Sequence, residues 1–97
     1  MEEKAKIIAE LLKILANESR LLILCELMQG PKAVGKIGEK TPKISQSALS
    51  QHLALMKAYG IISSTKEGQT VIYAIADHRV EEIIWVLKKY YCEEESV

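Results

Sequence analysis

The sequence predicts one mainly α-helical domain carrying a small β-hairpin, and three observations lead there. Four stretches place apolar residues at intervals of three and four, the spacing that gathers them on one side of a helix. Between Gly60 and Asp77 the pattern changes to short runs rich in β-branched and aromatic residues around a glycine-containing turn. The chain has 97 residues without an internal repeat or a linker, which allows one compact core and no second domain.

The first helix covers 3–16, EKAKIIAELLKILA, with Ala5, Ile8, Leu11, Leu12 and Leu15 on a common side and Lys6, Glu10 and Lys13 largely elsewhere. Asn17 can accept the first unbonded amide hydrogens of a second helix, about 18–29, in which Leu21, Leu24, Cys25 and Met28 repeat at three and four. Gly30-Pro31 ends it, because proline disfavours helical geometry in the residue before it and has no N–H to donate. Residues 34–41, VGKIGEKT, form a short, weak helix in which Gly35 and Gly38 lower the propensity, and Pro42 closes it. A stronger helix starts at Ser45. Its apolar stripe is Ala48, Leu49, His52, Leu53 and Met56, with Gln46, Ser47, Ser50 and Gln51 projecting in other directions. Gly60 then stands where a chain leaving a helix often takes a left-handed residue. Residues 61–66 and 70–76 are two strands joined by Glu67-Gly68-Gln69. Asp77 can cap a final helix, whose Val80, Ile83, Ile84, Leu87 and Tyr91 repeat to about Cys92, ahead of the acidic end EEESV. Helix, helix, short helix, longer helix, hairpin, helix is the order of a winged helix-turn-helix domain, here with five helices and a two-stranded wing over 1–97.

Composition excludes several classes. Of the residues 48% are apolar and 27% charged, which is a folding composition rather than a disordered one. The longest apolar stretch, residues 21–25, is far short of the roughly 20 needed to span a bilayer. Residues 1–6 lack the basic start and apolar block of a secretory signal, so the expected location is the cytoplasm with no membrane partner. Cys25 and Cys92 are too far apart for a metal knuckle and too few for a disulfide framework. No nucleophile, base and orienting residue recur at a persuasive spacing, and there is no phosphate loop, so neither enzymatic activity nor a cofactor is expected.

The formal charge of zero conceals an uneven distribution. Residues 1–31 carry four basic and five acidic side chains, residues 32–66 six and one, and residues 67–97 three and seven. Local positive potential is what approaching phosphates require, and an acidic remainder does not abolish it. The middle segment is therefore the candidate contact region, either for double-stranded DNA through the helix-turn-helix unit or as a solvated face kept soluble by its lysines. In a helix-turn-helix unit the second helix enters the major groove and its first turns bring polar side chains to base edges. Gln46, Ser47, Ser50 and Gln51 can donate and accept there, with Ser45 either a helix cap alone or a cap that also meets phosphate. Lys43, Lys57 and Lys66 suit phosphates, and Gln69 and Thr70 lie near the tip of the hairpin. His52 has two readings: a partly buried histidine bonded within the core, or a contact to the DNA backbone.

Three segments carry a family resemblance: LKILANESRLLILCEL (12–27), SQSALSQHLALMKAYGII (45–62) and KEGQTVIYAI (66–75). Together they resemble the ArsR/SmtB family of bacterial winged-helix repressors over almost the whole chain. The resemblance implies a homodimer, built through the first and last helices, that binds an imperfect inverted repeat in a promoter and responds to an inducer. The arsenic-sensing branch carries a Cys-x-Cys pair where Ala33 to Thr41 has no cysteine. The zinc-sensing branch adds a second histidine after an Asp-His pair, whereas only Asp77 and His78 occur here; no metal site is expected. Cys25 in ILCEL and Cys92 in KKYYC match the dithiol branch, in which oxidants or reactive sulfur species join two thiols of one protomer by a disulfide or polysulfide bridge. Taken alone, Cys25 reads first as a small apolar core residue. The turn before Ser45 is one residue longer than usual in the family, with Thr41-Pro42-Lys43 in place of the commoner leucine and glycine. Wing arginines of many relatives are here represented by Lys66.

The function so implied is a dimeric, sequence-specific repressor whose operator affinity falls when Cys25 and Cys92 are bridged. Two alternatives stand beside it. One is an ArsR-type repressor that is indifferent to thiols or responds to a metal. The other is a winged-helix protein-interaction domain without DNA binding, against which the basic middle segment argues.

Overall fold

The computed structural model describes residues 1–91, in the order α1 (Glu2–Leu15), α2 (Glu18–Leu27), β1 (Lys32–Ala33), α3 (Val34–Lys40), α4 (Gln46–Ala58), β2 (Ile62–Glu67), β3 (Thr70–Ile75) and α5 (His78–Tyr91). The five helices and the hairpin are those the sequence predicts, with ends shifted by one or two residues. The sheet differs. It has three antiparallel strands in the order β1-β3-β2, because Lys32 and Ala33 pair with Tyr73 and Ile72 on the free edge of the hairpin. Two residues are too few to display an alternating pattern, so nothing in their sequence marks them as a strand. Pro31, with no N–H to bond back to α2, separates them from that helix, and the free edge of β3 takes up their backbone.

The ends of the helices follow local chemistry. Asn17 Oδ1 accepts from the amide of Arg20 at 3.1 Å and starts α2; Ser45 Oγ accepts from that of Ala48 at 3.1 Å and starts α4. Asp77 Oδ1 accepts from the amide of Arg79 at 2.9 Å at the head of α5. The long turn before Ser45 is closed by Thr41, which is buried and donates its hydroxyl to the carbonyl of Ile37 at 2.7 Å. At the far end of α4, Ile61 N reaches Met56 O at 2.9 Å and Gly60 N reaches Lys57 O at 3.0 Å, with Gly60 at φ +73°. This is a Schellman ending, and it turns the chain directly into the hairpin.

One core holds these elements. Ile23, Leu24 and Leu27 of α2 meet Ile37 of α3, Leu49, Leu53 and Met56 of α4, Ile61 and Ile62 at the foot of the hairpin, and Val80 and Ile84 of α5. α1 contributes only Ile14 and Leu15. Its expected stripe is otherwise uncovered: Leu11 is half-buried, whereas Ile8 and Leu12 are each 47% exposed, as are Trp85, Val86, Leu87 and Tyr90 of α5 at 40–60%. No helix among the described residues is long and apolar enough to cross a membrane.

Two glycines should respond oppositely to substitution. A Cβ at Gly35, inside α3, meets nothing within 4 Å, so Gly35→Ala should raise unfolding free energy by about 0.4–1 kcal/mol. Gly60→Ala forces a side chain into the left-handed region and should cost about 1–2 kcal/mol. Urea unfolding measures both, and a shift of the same sign in the two variants would contradict these backbone assignments.

Candidate nucleic-acid interface

Burial of Leu49, Leu53 and Met56 rolls α4 so that its other side faces out. Gln46, Ser47, Ser50 and Gln51 are all exposed on the first two turns, and Ser45 is exposed beside them while its hydroxyl caps the helix. Lys43 precedes this surface and Lys57 follows it three turns on, both exposed. The hairpin adds Lys66, Gln69 and Thr70, again exposed. Glu67 pairs with Thr70 across a loop of only Gly68 and Gln69, and Gly68 at φ +64° supplies the positive angle that a type II′ turn needs first. Glu67 is therefore the last strand residue rather than part of the turn.

His52 is half-buried at the edge of the stripe, and its Nδ1 accepts from Arg20 Nε at 3.2 Å. Burial and then the Arg20 charge hold its pKa below the ordinary imidazole value. Arg20 is a residue that sequence reasoning missed: it lies 32 positions from His52, and no local pattern links the two. Lys32 needs the opposite revision. It counts toward the basic segment, yet Nζ lies 2.8 Å from the carbonyl oxygen of Glu26, 3.2 Å from Glu26 Oε1 and 2.8 Å from Gln29 Oε1, so its charge is spent on the end of α2. Lys36 lies 3.7 Å from Glu39 on the surface.

Cys25 is half-buried on α2 and lines an apolar cavity of about 520 Å³ with Leu21 and Leu22 of the same helix and Ile84 and Leu87 of α5. The thiol thus faces the side on which the last helix packs. Cys92, its expected partner, lies outside the described residues. At the head of α5 the Asp77 carboxylate is engaged by Arg79, at 2.7 Å from Nη2, which holds its pKa below the usual carboxylate range. His78 beside it is exposed and 3.9 Å from Glu81. No cluster of three or more potential metal ligands occurs among the described residues.

Residues 17–64 match a family described as bacterial regulatory protein, arsR family. The transcriptional activator HlyU of Vibrio cholerae is 41% identical over 93 residues, 96% of this chain and 85% of that protein. The biofilm growth-associated repressor of Agrobacterium fabrum is 35% identical over 96 residues, 99% of this chain and 81% of that one. The solved structure of reduced HlyU from Vibrio cholerae superposes with a TM-score of 0.88 at 41% identity, covering 95% of this chain and 96% of the other.

The lowered pKa of His52 makes stability depend on pH. The unfolded imidazole takes its proton at about 6.5, before the folded one does, so acid favours the unfolded chain. The contribution is complete above about pH 6.5 and is lost as pH falls through the lower folded value. Thermal unfolding followed from pH 7.5 to 5 should show a falling midpoint. His52→Asn, which keeps an acceptor and does not titrate, should flatten that fall; an unchanged slope would assign the proton uptake to another group.

Proposed function

The chain belongs to the arsR family of bacterial regulatory proteins, which are DNA-binding transcriptional regulators and not enzymes, and from that premise we propose a homodimeric repressor that reads an imperfect inverted repeat and is switched by its two thiols. The observation that carries the DNA reading is the polar start of α4. Four exposed amide and hydroxyl side chains stand on a helix whose opposite side is locked in the core, within the one segment of net positive charge. Gln46, Ser47, Ser50 and Gln51 meet base edges or the adjoining backbone. Ser45, Lys43 and Lys57 hold phosphates beside them, and Lys66, Gln69 and Thr70 do so from the hairpin. Two copies are joined through α1 and α5, whose exposed apolar residues a chain of this size has no further core to cover.

The thiol switch draws its support from Cys25. Its helix packs on α5, and Cys92 follows the last described turn of α5 by one residue. Joining the two thiols as a disulfide delivers two electrons and two protons to a hydroperoxide, which leaves as alcohol and water, or to an organic persulfide, which leaves as thiol and hydrogen sulfide. Where one persulfide first passes its outer sulfur to a protein thiol and leaves as thiol, a second persulfide takes the same two electrons and two protons and a trisulfide bridge closes. The tie weakens DNA binding by fitting the low-affinity arrangement of α5 against the reading head better than the high-affinity one.

Gln46→Ala and Ser47→Ala, in a chain that sediments near twice 10.9 kDa, should each cost about 1–3 kcal/mol of operator affinity where they hold a base contact. Lys66→Ala should weaken specific and random DNA alike and reduce the salt slope by about 1. Anisotropy titrations on a promoter fragment measure all three, and unchanged affinity and sequence preference in folded α4 variants would remove the helix from the groove.

Treating the reduced protein with an organic persulfide or a disulfide oxidant should yield an intramolecular link between the peptides of Cys25 and Cys92, with operator affinity lowered about 5- to 150-fold. Cys25→Ser and Cys92→Ser should each abolish the response. Thiols that stay reduced, or a bridged protein that binds as tightly as before, would return the reading to a repressor indifferent to thiols.

A further inference from the structure

Arg20 touches three helices at once. Its backbone amide is held by Asn17 in the first turn of α2, and its guanidinium reaches in two directions. Nη1 donates to the carbonyl oxygen of Ile14 at 3.0 Å, and Nε donates to His52 Nδ1 at 3.2 Å. The Ile14 carbonyl is one of the last four of α1, which have no partner within their own helix, and a positive charge suits that end of the helix dipole. Nε and Nη1 belong to one rigid plane, so their two acceptors cannot shift relative to each other without breaking a bond. An imidazole whose Nδ1 accepts is neutral and carries its hydrogen on Nε2.

We propose that Arg20 is a positioning residue for DNA reading: by holding the Ile14 carbonyl and His52 Nδ1 in one plane it fixes the angle between α1 and α4. This rests on the reading of α4 as the groove helix and α1 as a dimer helix. The separation of two reading helices in a dimer is set by how each sits on its own dimer helix, and half-site spacing mirrors that separation. A loosened Arg20 bridge therefore relaxes the spacing rule before it reduces attraction to phosphates. Lysine cannot replace the residue, because a single ammonium lacks the planar fork.

The test uses two substitutions that move an acceptor along the ring. The amide oxygen of His52→Asn can lie where Nδ1 lies, whereas the amide of His52→Gln lies nearer Nε2. Operator affinity should stay within about threefold in His52→Asn and fall about tenfold or more in His52→Gln, His52→Ala and Arg20→Lys, with the Arg20→Lys/His52→Ala pair no worse than either alone. Wild type should prefer the natural spacing over operators one base pair longer or shorter, and Arg20→Lys should lose that preference while binding random DNA unchanged. The ¹⁵N spectrum of His52 should show the Nε2–H tautomer, and in Arg20→Lys a mixture. Rescue by Gln instead of Asn would make His52 a direct DNA contact and overturn the proposal. So would a retained spacing preference in Arg20→Lys, or a mixed tautomer in wild type. Gln46→Ala run alongside separates the two readings. If it weakens binding while the Arg20 and His52 variants do not, only the bridge falls; if it too has no effect, the α4 reading falls and takes the bridge with it.

Discussion

Leu49, Leu53 and Met56 are spaced four and three residues apart, and each is less than 5% exposed. Once these three side chains enter the core, α4 has no rotational freedom left. A roll of one residue is about 100°, which would turn Ser50, Ala54 and Lys57 inward in one direction or Ala48, His52 and Leu55 in the other, and each polar group so buried without a partner costs about 1–3 kcal/mol. The outward direction of Gln46, Ser47, Ser50 and Gln51 is thus a consequence of inward packing. It needs no interaction of its own. The same burial positions the Schellman ending at Gly60 and so determines where the hairpin leaves the helix.

The core that performs this task is small, and it is placed unevenly. α2 lies at its centre with Ile23 and Leu24 fully buried, whereas α1 gives only its last two residues. The charged groups inside the fold are spent on helix ends: Lys32 on the end of α2, Arg20 on the end of α1, and Asp77 on the start of α5. Such assignments quiet backbone groups that a helix cannot satisfy internally. They also take lysine and arginine out of the reservoir that could face a polyanion, so a formal count of cations overstates what the surface presents.

α2, α4 and α5 were legible because each carries an apolar period and a capping residue in its own sequence, with Asn17, Ser45 and Asp77 at their starts and Gly60 after α4; α1 was legible by its apolar period alone, and α3, which has no side-chain cap, by the Pro42 that closes it. The polar face of α4 was legible for the same reason. β1 was not, since a two-residue strand exists only through its partner β3. Neither was the pairing of Arg20 with His52, which a three-dimensional core brings together across the intervening β1 and α3. The uncovered stripe of α1 shows a third limit: periodicity says which residues share a side and leaves open whether the chain itself has anything to put against it.

The hairpin tip is as short as an antiparallel connection ordinarily becomes, two residues joining strands of six. Such a tip leaves no slack. Along strands about 20 Å long, alternate side chains point to opposite faces, so a single inserted residue would turn every position beyond it over. Change at this element is therefore confined to exchange of side chains on a fixed frame. The wing behaves as a stiff lever, with a reach set by strand length and a surface chemistry that can drift one residue at a time without altering where it points.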